Sequence, residues 1–132
     1  DYDNLESLIF ARAALEGIAY QVADLVSTME KDLGKPLNSL WVDGGASVSN
    51  FLMQFQADLL RCSIYRPQMV ETTAAGAAYL AGLAVGFWDS TDALRKNRCL
   101  DRSFTPTMAP SEAQALLQRW EKAVQRAKNW EE

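Results

Sequence analysis

Residues 40–60 read LWVDGGASVSNFLMQFQADLL. A short apolar run, Leu40-Trp41-Val42, reaches Asp43 and then Gly44-Gly45. Past the glycines, Phe51, Leu52, Phe55 and Leu59 fall on one helical face. The stretch predicts a strand, a glycine turn and a helix. Glycines accept positive φ and carry no Cβ to hold a ligand away from the backbone. The helix start adds unpaired N–H groups and the positive end of the helix dipole. Such a corner can cradle the phosphate or ribose of a nucleotide. A glycine pair between strand and helix also serves as a plain tight turn, and these residues leave both readings open.

Working outward, residues 4–33 place apolar side chains three and four apart, from Leu5, Leu8 and Ile9 to Val26, Met29 and Leu33. That spacing predicts one long amphipathic helix. Gly34 suits the residue after its end, and Pro36 blocks continuation. A strand is expected at 39–43, the second helix at 47–61 with Ser47 as its cap, and a second strand from Cys62 to Pro67. Glu71-Thr72-Thr73 then opens a third helix, with a threonine as N-cap. This helix is built of small residues, including Gly76 and Gly82, each costing about 1 kcal/mol relative to Ala. Close packing on a sheet or direct ligand contact would offset that cost, and packing is the plainer reading.

Residues 90–97 suggest a short helix and 98–110 a loop with Pro106 and Pro110. Ser111-Glu112-Ala113-Gln114 resembles a capping box, so a C-terminal helix is expected over 111–131. Its Arg119, Lys122, Arg126 and Lys128 read as a solvated face. A helix between the two strands implies parallel pairing, hence an α/β fold, rich in helix, with a small parallel sheet. Two strands alone leave edges unpaired. Partner strands are expected elsewhere, upstream in a longer chain or in a second copy. The absence of an initial Met and the immediate helical pattern agree with a piece of something longer.

The bulk properties narrow the classes. At 132 residues and 48% apolar, the chain can bury a real core. Its net charge of −4 argues against nucleic acid, which needs a basic face. No apolar run reaches the length of a membrane span, and the acidic start at Asp1 does not resemble a secretory signal. Cys62 and Cys99 lack metal-ligand spacing, so reduced thiols and a cytoplasmic location are expected.

Chemistry is sparse. There is no histidine, and no G-x-x-x-x-G-K-[ST] loop. Asp43 sits where a strand meets the glycine turn and could hold a metal-bound water or simply cap the local backbone. Asp24, Glu30 and Asp58 read as solvated carboxylates on helix faces. Ser49 and Asn50 lie where a side chain can lean toward whatever the glycines hold. No catalytic residue and no metal ligand is assigned.

Five segments together resemble the C-terminal part of the glycerol kinases, among the carbohydrate kinases of the actin-like ATPase superfamily. They are ARAALEGIAYQVADLV at 11–26, LWVDGGASVSNFLMQFQADLL at 40–60, Arg66-Pro67, ETTAAGAAYLAGLAVGFW at 71–88 and WEKAVQRAKNWEE at 120–132. The resemblance implies part of a ribonuclease-H-like lobe that binds nucleotide. Residues 1–132 would be that C-terminal nucleotide-binding domain, lacking its opening strands, with 111–131 as its last helix.

In such enzymes the γ-phosphoryl group of MgATP moves to a terminal hydroxyl of glycerol. The implied cofactor is ATP or ADP with Mg, whose ligands lie outside this segment. The second glycine of the turn contacts nucleotide, which maps to Gly45, and Gly44, Gly45, Ser49 and Asn50 are the expected nucleotide-binding residues. The position four residues later, usually Asn, reaches the adenine end; here it is Ser49, shorter and without an amide. Asn50 is one step on, about 100° around a helix. The family's catalytic aspartate, glycerol contacts and phosphate-binding hairpin precede this segment.

The implied partners are the N-terminal kinase lobe of a parent chain, nucleotide, glycerol through that lobe, and a second copy of the chain. The isolated segment is expected to be inactive. The alternatives are the same lobe of another sugar or polyol kinase, or a non-catalytic nucleotide-binding or interaction module.

Overall fold

The strand–turn–helix stretch forms the centre of the molecule. The computed structural model describes residues 2–96 and 99–128. In chain order these are α1 (Tyr2–Leu33), β1 (Ser39–Trp41), a 3-10 turn (Gly45–Val48), α2 (Asn50–Leu60), β2 (Ser63–Pro67), α3 (Thr72–Ala84), α4 (Thr91–Lys96), β3 (Leu100–Phe104) and α5 (Pro110–Ala127).

β1 and β2 pair in parallel through Ser39–Ser63, Leu40–Ile64 and Trp41–Tyr65, as the intervening helix required. The sheet has a third strand where a loop was expected. β3 runs antiparallel to β2, pairing Phe104 with Ile64 and Ser103 with Tyr65, so the small sheet is mixed and β2 is its centre. β3 escapes a periodicity reading because Leu100-Asp101-Arg102-Ser103 are all exposed and only Phe104 is buried.

α2 fills the core. Leu52, Met53, Phe55, Ala57 and Leu59 are buried with Ile64, Phe104 and Ala19. Burying a side chain such as Leu52 or Ile64 contributes about 1.5–3 kcal/mol. α1 meets α2 through the buried Ala19, Ala23 and Val26, with Leu15 and Tyr20 packed against the same core and the Tyr20 ring edge-on to Phe55 at 5.6 Å. Short residues let the two helices approach, while Leu5, Leu8, Ile9 and Phe10 remain exposed. Gly34 ends α1 at φ 65, and the Leu37 N–H donates to Glu30 Oε1 at 2.7 Å, so Glu30 is engaged and half-buried.

Asp58 also departs from expectation. It is 5% exposed, and its Oδ1 accepts the N–H groups of Thr107 (2.6 Å) and Met108 (3.0 Å). It therefore anchors the segment between β3 and α5. Asp24 is exposed as expected, yet accepts Trp120 Nε1–H at 2.7 Å, and Trp120 stacks on Tyr20 at 5.2 Å. These contacts dock α5, whose Arg119, Lys122, Arg126 and Lys128 are exposed as a solvated face.

Three helix starts shift by a residue or two. α5 begins at Pro110, with Ala109 as N-cap and no side-chain cap; Pro suits this first position because its φ is preset and it lacks an N–H. Its described part ends at Ala127, short of 131, and residues 129–132 lie outside the described part. Glu71, not a threonine, is the N-cap of α3. Ser49, not Ser47, caps α2: its Oγ accepts the Leu52 N–H at 3.2 Å.

α3 does not pack its small residues on the sheet; of its residues only Gly82 is buried. The helix ends in a Schellman motif, with Phe87 N–H to Gly82 O (2.8 Å), Gly86 N–H to Leu83 O (3.3 Å) and Gly86 at φ 74. The reversal lays the Trp88 ring across Gly82. A Cβ there would stand 2.1 Å from Trp88 Cζ3.

Candidate functional site

The site grows from the end of β1. Val42 N–H donates to Tyr65 O at 3.1 Å and carries the ladder one residue past the strand. The chain then turns at Gly44, with φ 77 and ψ 170, a region closed to side chains. Gly44 N–H is committed to Val70 O at 2.8 Å. Its carbonyl accepts both Ser47 N–H (3.1 Å) and Ser47 Oγ–H (2.7 Å). Gly44 is thus occupied in shaping the turn.

Gly45 differs. It opens the 3-10 turn, is exposed, and a Cβ built on it would meet nothing within 4 Å. A ligand can approach its backbone directly. The first N–H groups of a helical turn have no partner inside it, which leaves donors facing that approach.

Ser49 and Asn50 follow, and both side chains already have work. Ser49 Oγ caps α2, and Asn50 Oδ1 accepts Arg66 Nη2–H at 3.0 Å. Asp43 is exposed and its Oδ2 accepts the Thr72 hydroxyl, so it ties the end of β1 to the start of α3. Among the described residues no group of three or more His, Cys, Asp or Glu gathers to hold a metal ion.

Arg66, which the sequence marks only as the end of a strand, packs against the turn. Its guanidinium donates to Ser47 O (2.8 Å), Val48 O (3.1 Å), Asn50 Oδ1 and Asp101 Oδ2 (2.7 Å). The signal was its spacing. Arg66 stands two residues after Ile64 in one strand, hence on the same face, and Ile64 is fully buried.

Beyond Thr72 lies a cavity of about 780 Å³ between the end of β2, α3 and α4. Met69, Thr72, Gly76, Tyr79, Arg95 and Cys99 are among its lining residues. Thr72 joins it to the turn through Asp43. Gly44, Gly45, Ser49 and Asn50 do not line it. Both cysteines are free; Cys62 is buried, and burial, then the nearby Glu30 carboxylate, push its thiol up, which disfavours the thiolate.

Comparison with known proteins gives the family of the chain and its fold. The FGGY family of carbohydrate kinases, C-terminal domain, matches residues 3–85. Glycerol kinase of Parabacteroides distasonis is 54% identical over 121 residues, which is 92% of this chain and 24% of that protein. Glycerol kinase of Caldanaerobacter subterraneus subsp. tengcongensis is 55% identical over the same shares. The chain spans about a quarter of the length of the curated relatives it matches. Among solved structures, Plasmodium falciparum glycerol kinase with ADP superposes with a TM-score of 0.76 at 38% identity, over 87% of this chain and 23% of that one. Xylulose kinase from Lactobacillus acidophilus gives 0.74 at 25% identity, over 92% and 25%. With the family matched over most of its length and the fold shared with two sugar and polyol kinases, the chain belongs to the FGGY family of carbohydrate kinases and carries its C-terminal domain.

Proposed function

We propose that this chain is the nucleotide-binding C-terminal part of an ATP-dependent glycerol kinase. The observation that carries the reading is the division of labour in the glycine turn. Gly44 is locked in a glycine-only conformation, while Gly45 offers an open backbone, in a chain 54% identical to glycerol kinases. In this reading Gly45 contacts ATP or ADP, with Gly44 shaping the turn and Ser49 and Asn50 bordering it. The bound nucleotide supplies the phosphoryl group, and this chain's residues seat its adenosine end.

Phosphoryl transfer rests on positioning and charge stabilisation from several parts of an active site. The magnesium ligands, the base acting on glycerol and the glycerol contacts are proposed to come from the rest of the parent protein, in the cytoplasm. The parent's N-terminal lobe is then the chief partner of this one.

The test is a turnover assay on the full-length gene product with MgATP and a panel of glycerol, pentoses and hexoses. Glycerol-dependent ADP release is expected, and none from the isolated 132 residues. Preference for a pentose would move the assignment to another kinase of the same fold. Turnover by the isolated chain would refute the division between lobes.

A further inference from the structure

Arg66 carries a burial cost that the fold must offset. Its side chain is only 11% exposed, and an arginine stays charged in proteins. Four acceptors surround it, and the Phe104 ring lies 5.4 Å below the guanidinium. Their placement is informative. Ser47 O and Val48 O close the 3-10 turn, and Asn50 opens α2. All three lie 16 to 19 residues before Arg66 in the chain. The fourth acceptor, Asp101 on β3, is 44% exposed and holds the guanidinium from behind.

One planar fork from the central strand therefore joins the closing end of the 3-10 turn to the first residue of α2. Within the turn Ser47 bonds back to Gly44 and the Ser49 N–H to Ala46 O, and Arg66 adds a hold from outside the turn. A lysine could satisfy one or two of the acceptors as a point charge, not all four in a plane.

We infer that Arg66 is a positioning residue for the nucleotide turn: it fixes the backbone around Gly45 without touching the nucleotide, and Asp101 sets its aim. The inference rests on the nucleotide reading of Gly45 given above. It adds a role for β2 and β3, which the glycine motif does not include.

The experiment compares the full-length kinase with Arg66→Lys, Arg66→Gln and Asp101→Asn variants. KM for MgATP, KM for glycerol and the ADP dissociation constant are measured for each, with melting temperature as the check on folding. Arg66→Gln should raise the two nucleotide constants roughly tenfold or more and leave KM for glycerol within about twofold, because a turn displaced by a fraction of an ångström misplaces only what it holds. Arg66→Lys should fall between wild type and Arg66→Gln. Asp101→Asn keeps the guanidinium and loosens one surface anchor, so it should shift the nucleotide constants in the same direction by a smaller factor.

Folded Arg66 variants with nucleotide constants within about twofold of wild type overturn the inference, as does a parallel rise in both KM values. If the Arg66 variants do not fold, Asp101→Asn decides, and an unchanged nucleotide constant there overturns it. A wild-type parent that takes no ADP instead overturns the underlying nucleotide reading, a distinct failure seen before any variant is made.

Discussion

Gly44 and Gly45 are adjacent and chemically identical, yet the fold asks different things of them. Gly44 holds φ 77 with ψ 170, where any Cβ is strained, and both its N–H and its carbonyl are bonded. Gly45 has an ordinary φ and open space at its Cβ position. Alanine substitutions should separate the two. Gly44→Ala is expected to destabilise the protein by about 1–3 kcal/mol, the usual cost of forcing a side chain into such a conformation. Gly45→Ala is expected to unfold with a urea midpoint near wild type while weakening ADP binding, since its methyl would stand where a ligand approaches. Urea melts and ADP titrations of both variants check this; equal losses of stability would contradict it. The serine at 49 illustrates the same division. Its hydroxyl is used as the α2 cap, so a ligand contact from this side chain would have to share it with the Leu52 N–H.

At the scale of elements, what could be read in advance follows the strength of each periodic or steric signal. α1, α2, β1 and β2 were legible because apolar spacing and Gly34, Gly44 and Pro67 bound them. β3 was not, since an edge strand with one buried residue has no alternation to find. Asp58 was not, because its burial depends on Thr107 and Met108, 49 and 50 residues away, and for Arg66 the strand spacing marks the buried face but not the acceptors that make a charge tolerable there. The small-residue helix α3 was recognised as a helix, but its reason was misplaced. Gly82 is required by the Trp88 ring that its own Schellman turn folds back, whereas a Cβ on Gly76 meets open space at the cavity. Two substitutions in one helix should therefore differ in sign. Gly82→Ala is expected to destabilise by about 1–3 kcal/mol through overpacking against the ring. Gly76→Ala is expected to stabilise by roughly 0.5–1 kcal/mol through helix propensity. Thermal melts of the pair provide the check, and stabilisation by Gly82→Ala would show that the ring moves freely aside.

For the whole molecule, the notable property is how much apolar surface faces outward. Leu5, Leu8, Ile9 and Phe10 are each more than half exposed on α1, and Leu80, Val85 and Phe87 more so around α3. β1 is an edge strand of the three-stranded sheet, with β2 as its neighbour. Exposed apolar surface and sheet edges both favour association. Under the proposed function these surfaces are covered by the remaining three-quarters of the parent kinase, and a preparation of this chain alone leaves them in water. The isolated chain is therefore expected to sediment well above its 14.7 kDa monomer mass across a dilution series, and to bind a hydrophobic dye. Placing charges on the two patches, with Phe10→Lys and Leu80→Lys together, should shift the distribution toward monomer without altering the core, because both side chains point away from it. A monodisperse monomer for the unmodified chain would mean that neither patch is sticky enough to need cover, and would remove the support these surfaces lend to a parent lobe lying against α1 and α3.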